Sequence, residues 1–386
     1  MMILFYYSMP HLHHKGDSDK IPLYLSNYND KESCIMKRFL ALILSLMMIF
    51  SLIGCAGNQK SEEPAEPEVE ETQPEAEEPV ASAFPVTVTD QAGRTVTIEA
   101  EPQSIVSGYY ISTSLLIALD QEDKLVGIEA KADKRPIYHL SAPQLIDLPN
   151  VGTAKEFDLE GCAALEPDLV ILPIKLQNAV PTLEELGLTV LLVNPETQEL
   201  LDEAVELVST ATGSTAQAQA LADFSATQQA WLEETLADAE APSVYLAGNS
   251  SMLSTAGSAM YQNDMLAAAG GANVAAEITD TYWVEVDYEQ LLAWNPDYII
   301  LASDASYTCE DVLADPNLAD CTAVVNGNVY QMPNRAEAWD SPVPSGILGS
   351  VWLAGVLHAD LCDQATTDSI IEEYYETFFG FAYSEA

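Results

Sequence analysis

Two stretches of this chain are near copies of one another, and no other feature limits the possible folds so strongly. Residues 159–172 read LEGCAALEPDLVIL and residues 288–301 read YEQLLAWNPDYIIL, with six of fourteen positions identical and no gap. The matches include Glu160 with Glu289, Pro167 with Pro296 and Asp168 with Asp297. Each copy reads as a short helix, a Pro-Asp turn and a buried strand. Such a unit hides its apolar strand inside a layered α/β sheet, so the duplication predicts two lobes of one architecture, roughly 86–195 and 242–363.

The flanking pattern agrees. VTVTDQAGRTVTI alternates around a Gly-containing turn, which is a hairpin signal. After it come SIVSG, a helix near Ser112–Leu119, KLVGI, DLVIL, a helix near Gln177–Leu186, and TVLLV. Short apolar strands alternating with helical stretches predict parallel α/β layers. Between the lobes, residues 197–240 are filled with helix formers and interrupted by Gly213. In the second of these helices Leu221, Phe224, Trp231 and Leu232 fall near one face. At about 24 residues it would span roughly 36 Å and act as a stiff spine that permits only small closure.

The first part of the chain reads as address and tether. Met36-Lys37-Arg38 precedes an apolar run from Phe39 to Ile53, ending Leu52-Ile53-Gly54-Cys55. A basic start, a short apolar core and small residues before a cleavage point describe a secretory signal. The run is short against the roughly 20 residues of a spanning helix, though an uncleaved anchor is the alternative. The L-x-G-C ending resembles the bacterial lipoprotein lipobox, which implies lipidation of Cys55. A signal that starts at Met36 leaves residues 1–35 as upstream read-through, with His11, His13 and His14 either part of that stretch or a metal-binding tail. Residues 55–84 are rich in Glu and Pro and are expected to stay extended and disordered. The expected organisation is thus 1–35 read-through, 36–54 signal, 55–84 tether, 85–197 N-terminal lobe, 198–241 linking helices and 242–386 C-terminal lobe with a terminal helix.

Composition excludes some functions. With 14 Lys+Arg against 60 Asp+Glu, a formal charge of −46, the chain lacks the clustered cations that nucleic acid requires. No Cys-x-x-Cys pair or Cys/His cluster marks a zinc site. Cys309 and Cys321 read either as a local disulfide or as two unpaired buried thiols.

The stretches VTDQAGRTVTI, SIVSGYYISTSLLIALD, KLVGI, NVGTAKEFDLEGCAALEPDLVI, LEELGLTVLLV, LAAAGGANVAAE, YEQLLAWNPDYIIL, AVVNGNVYQM and SGILGSVWLAGVLHAD occur in an order that spans nearly all of 86–363. As a series they resemble the solute-binding lipoproteins of ABC importers for ferric siderophores, haem and cobalamin. The resemblance implies an α/β protein of two parallel-sheet lobes joined by one long helix, with the ligand cleft between them. It implies a monomeric binder, not an enzyme, anchored outside the cell membrane and delivering its ligand to a permease dimer. It also implies that Glu160 and Glu289 dock onto permease arginines; the plainer alternative is that each favours a helix N-terminus.

The ligand is expected where strand C-terminal ends face the crevice. Loops there carry Tyr109, Tyr110, the segment Lys131–Tyr138, Lys155, Lys175, Tyr282, Trp283 and the stretch Arg335–Asp340 with Trp339. Six of the nine Lys/Arg after Cys55 lie in these loops. The expectation is a basic, aromatic-lined cleft with Tyr109, Tyr110, Lys131, Lys155, Lys175, Trp283, Arg335 and Trp339 as ligand contacts; the plainer alternative is that residues 131–135 are an ordinary exposed loop and that Tyr109 and Trp339 are core. Such a cleft suits an anionic iron chelate first and a corrinoid second. No separate cofactor is expected, and no bare metal site, because only His139 and His358 remain after Cys55. An enzyme would need a motif such as GxSxG, HExxH or a P-loop, and none is present. Asp168 and Asp297 read as turn residues and not as a catalytic pair. A surface-anchored enzyme or an adhesion protein on the same fold is the alternative of another class.

Overall fold

The computed structural model describes residues 83–279 and 283–386. Cys55, the signal and most of the tether lie outside them, as does Tyr282. The described residues belong to one compact unit.

The alternating Thr/Val run forms the expected hairpin, β1 (Val86–Thr89) antiparallel to β2 (Thr95–Ile98) with Val86 opposite Ile98. Its turn needs Gly93, whose φ is +78°. The Asp90 carboxylate accepts the Ala92 and Arg94 amides and pairs with the Arg94 guanidinium at 2.9 Å.

The N-terminal lobe follows as β3 (Ile105–Ser107), α1 (Tyr110–Ala118), β4 (Leu125–Ile128), α2 (Pro136–Ser141), α3 (Leu159–Ala164), β5 (Leu169–Pro173), α4 (Val180–Glu185) and β6 (Val190–Val193). Its sheet is wholly parallel, in the order β4-β3-β5-β6. The helix expected near Gln177–Leu186 divides into a 3₁₀ turn over Ile174–Ala179 and α4.

Two helices lead out of this lobe, α5 (Gln198–Thr212) and α6 (Thr215–Thr235). Gly213 separates them at φ +79°, the left-handed position that ends α5. With 21 residues α6 runs about 32 Å. It packs on α5 and on two helices of the second lobe, α7 and α11, whose ranges follow.

The C-terminal lobe contains β7 (Ser243–Ala247), β8 (Ser254–Ala256), α7 (Tyr261–Ala268), β9 (Ala272–Asn273), β10 (Trp283–Glu285), α8 (Tyr288–Trp294), β11 (Tyr298–Leu301), α9 (Cys309–Leu313), α10 (Thr322–Asn326), β12 (Val329–Gln331), α11 (Ile347–Leu357) and α12 (Gln364–Phe378). Its sheet runs β10-β8-β7-β11-β12, with β9 beside β7. Strands β9, β7, β11 and β12 are parallel, whereas β8 and β10 add an antiparallel edge. The sheet is therefore mixed where a purely parallel one was expected, because Gly248–Leu253 returns the chain directly beside β7 without a crossover helix.

The sequence repeat is a structural repeat. Helices α3 and α8 both start on an aspartate, Asp158 and Asp287, each accepting an amide at 2.8 Å from three residues on. Both end with a left-handed residue, Glu166 at φ +47° and Asn295 at φ +46°. Both then turn through Pro-Asp into a strand. Asp168 takes the Ser104 amide and hydroxyl at 2.9 Å each. Asp297 takes the Ser243 amide at 2.9 Å and hydroxyl at 2.7 Å. Each aspartate thus clamps the start of one central strand to its neighbour, the turn role its spacing suggested.

Period-2 alternation buries both faces of each sheet. In the first, Val106, Val170, Leu172, Val190 and Leu192 pack outward under α3 and α4, while Ile105, Ile171 and Leu191 face inward. In the second, Tyr245, Ile299 and Leu301 face outward, while Val244, Leu246 and Ile300 face inward. The two inward faces belong to one continuous cluster, which also takes in Leu221 and Leu232 of the spanning helix and Tyr374 and Tyr375 of α12.

Candidate functional site

A cavity of about 210 Å³ opens where the two lobes meet. One wall comes from α1 and the segment into α2, through Tyr110, Ser114, Lys134, Arg135 and Tyr138. The other comes from the C-terminal lobe, through Asp304, Asn334, Glu337 and Ser341.

The central cation is Arg135. It is the residue before Pro136, and the proline ring disfavours a helical conformation there. Arg135 is accordingly extended at φ −98°, ψ 106°. Its guanidinium lies over the Tyr110 ring, 4.2 Å from the centroid. Arg135 is half-buried, yet among the described residues it forms no ion pair, and its Nε is buried without a hydrogen-bond partner.

Two buried carboxyl groups flank it. Glu129 accepts from the Thr113 hydroxyl and the Tyr138 phenol, each at 2.7 Å. Glu337 accepts from the Ser114 hydroxyl of the opposite lobe and from the Ser345 hydroxyl at 2.6 Å. Burial pushes the pKa of both above the usual carboxylate range, while the hydroxyl donors and the Arg135 charge pull them back in part. A third, Asp340, is raised in the same way by burial and accepts the Ser303 amide at 3.0 Å and hydroxyl at 2.6 Å.

Of the eight expected ligand contacts, Tyr110 alone lines this cavity. Tyr109 sits beside it, half-buried, with ring centroids 5.3 Å apart and edge to face; burial raises its phenol pKa. Lys131 and Lys155 are exposed loop residues, and Lys175 is exposed with its ammonium 3.9 Å from Glu196. Trp283 lies on the edge strand β10, its indole against Gly248, where an added Cβ would come within 3.0 Å of the ring. Arg335 turns away from the cavity: it donates to the Ala386 carbonyl and lies 5.1 Å from the Tyr383 ring. Trp339 is a correction. It is 1% exposed, donates Nε1–H to the Tyr375 hydroxyl at 2.8 Å and packs on Tyr383, so it is a core residue. The aromatic tail of the chain supplies that core, and no spacing rule for the loop itself reveals it.

Sequence reasoning had bracketed Arg135 within Lys131–Tyr138 without singling it out. The Arg-Pro step that opens α2 was the available signal. Ser114 and Glu337 carried none, because their meeting depends on tertiary structure. The two repeat glutamates, Glu160 and Glu289, are exposed in the first turns of α3 and α8, one on each lobe. Cys162, Cys309, Cys321 and Cys362 are free thiols, so Cys309 and Cys321 are not joined in this structure. Among the described residues no group of three His, Cys, Asp or Glu could hold a metal ion, and no helix is long and apolar enough to cross a membrane.

These features coincide with several known proteins. The chain is 25% identical over 323 residues to a molybdate-binding protein, MolA, of Haemophilus influenzae, covering 77% of this chain and 91% of that protein. It is 25% identical over 289 residues to a cobalamin-binding protein of Halobacterium salinarum, covering 72% and 75% respectively. A periplasmic solute-binding protein from Veillonella parvula superposes with a TM-score of 0.68 at 26% identity, covering 77% of this chain and 93% of that one. The family model described as "Periplasmic binding protein" matches residues 105–336. With two lobes, a connecting helix and a cavity between them, the chain belongs to the periplasmic binding protein family, as a solute-binding protein of ABC importers.

Proposed function

We propose that this protein captures a compact anionic solute at Arg135 and presents it to its permease through Glu160 and Glu289. The observation that carries the reading is the Arg135 guanidinium, half-buried on the cavity wall and without a carboxylate ion-pair partner among the described residues. An arginine placed so has its fork free for an oxyanion or carboxylate.

The cavity, at about 210 Å³, is below the ~300–1,000 Å³ common for drug-sized ligands. Its size favours a tetrahedral oxyanion or small organic acid over the iron chelate or corrinoid expected from sequence. The relative named for molybdate, which matches along most of its length, supports the same choice. Relatives are named as binding proteins, which supports capture and release as the role of the site. Lipidation at Cys55 would hold the protein at the membrane surface beside the permease.

The test is calorimetric titration of the whole chain with molybdate, sulfate, phosphate, citrate, a ferric siderophore and cobalamin. A small anion should bind, and Arg135→Ala should weaken it by about 10–100-fold, the equivalent of one charge-assisted contact. Unchanged affinity in that variant would remove the reading. Binding of the siderophore or cobalamin alone would restore the larger ligand.

A further inference from the structure

Charge counting inside the cavity leads one step further, and the step rests on the anion reading above. The half-buried cation at the site is Arg135, since Lys134 is exposed and paired with Asp133 at 3.0 Å. Of the buried carboxyl groups nearby, two interact directly with that one positive charge, Glu129 and Glu337. If both were ionised, the site would be net negative before any solute arrived, and an entering anion would deepen the deficit in a poorly solvated place.

The geometry distinguishes the two carboxyl groups. Glu129 lies behind Thr113 and Tyr138 and does not line the cavity. Glu337 does line it, and it joins the lobes by accepting from Ser114 on α1 and from Ser345 ahead of α11. The groups that face Glu337 are Arg135 before α2, Tyr110 on α1, and Tyr374 and Tyr375 on α12. Asp304 and Lys134 complete the charged lining. Arg135 is the one cation among these that favours an ionised Glu337, and it is the group a bound anion would engage.

We propose that capture of an anion at Arg135 is accompanied by uptake of one proton at Glu337, so that Glu337 determines which charge state the cavity accepts. An anion held at Arg135 screens that cation from Glu337 and adds a negative charge nearby. Both changes raise the proton affinity of the carboxyl. By linkage the proton favours the anion equally. Solute affinity is then high and flat below the pKa of Glu337 in the free protein. It falls by up to tenfold per pH unit through the interval up to the pKa in the complex, and is low and flat above it.

The experiment is titration calorimetry of the whole chain with sodium molybdate, sodium sulfate and sodium oxalate, none of which titrates between about pH 5.5 and 8, each in two buffers of different ionisation heat. Wild type should take up close to one proton per bound anion within the sloping interval, a count that needs no variant. Glu337→Gln should bind with the acid-limb affinity at every pH and take up none, whereas Glu129→Gln should keep the wild-type slope. Anion binding without proton uptake, or a slope retained in Glu337→Gln, overturns the proposal and leaves the anion reading intact. If none of the three probes binds, both fall together.

Discussion

At the scale of the residue, the fold places Glu337 where burial makes its ionised form costly. It is buried, and its pKa in the folded protein is above that in the unfolded chain. A carboxyl raised in this way contributes stability that is fully present below its unfolded pKa and is lost as pH rises through its folded pKa. Wild type should therefore melt at a lower temperature near neutrality than in weak acid. Glu337→Gln should lessen that drop, with thermal melts over the same pH range as the check; the remainder comes from Glu129, Asp340, Glu122 and Asp202, raised by the same cause. A variant whose melting profile parallels wild type would show that Glu337 ionises without penalty. The same scale shows why the site was only partly legible. Trp339 and Arg335 had the right residue types in the right loop, but the terminal residues Tyr375, Tyr383 and Ala386 take them up. A loop's sequence does not encode what a distant helix will pack against it. Tyr110 was readable because it opens a helix directly after a strand, which fixes its end of the sheet. Arg135 was half-readable, through its proline.

Among the elements, the helix–Pro-Asp–strand unit carries information that survived from sequence to structure. Its signals are local: an aspartate cap, a left-handed residue, a proline and an aspartate that clamps the next strand. Each acts within a few residues, which is why both copies could be recognised without knowing the fold. The clamp should matter energetically. Replacing Asp297 by Ala removes the acceptor for the Ser243 amide and hydroxyl, and should cost about 1.5–3 kcal/mol in denaturant unfolding. A loss below the error of that measurement would mean that water substitutes for the carboxylate. The antiparallel edge of β8 and β10 was not legible. Strands of three residues hold too little periodicity to show their direction, and the turn residues Gly248, Asn249, Ser250 and Ser251 mark a return without saying which strand the chain pairs with.

For the whole molecule, the repeat fixes a pair of exposed glutamates, Glu160 and Glu289, on equivalent helices of the two lobes. Each glutamate stands in the first turn of its helix, exposed, just ahead of the Pro-Asp turn and strand of its lobe. Reversing both charges, Glu160→Arg with Glu289→Arg, should abolish solute uptake by cells while leaving solute affinity of the purified protein within about twofold. Unimpaired uptake would return both residues to the simpler part of favouring a helix N-terminus. The two-lobe layout and the connecting helix were visible in sequence because they follow from repetition and from an uninterrupted run of helix formers. The inter-lobe cavity was visible only as a location.

The apolar cluster running unbroken from one sheet to the other has a consequence for how the molecule comes apart. A protein assembled from two copies of one unit invites the expectation that each copy melts on its own. Here Ile105 and Ile171 of one copy share a core with Val244 and Ile300 of the other, through Leu221, Leu232 and Tyr374. Neither half can expose its inner face without stripping the other. Scanning calorimetry of the solute-free protein should therefore show a single cooperative endotherm whose van't Hoff and calorimetric enthalpies agree, and either half expressed alone should fail to fold. Duplication doubled the plan, but the interior that resulted is one.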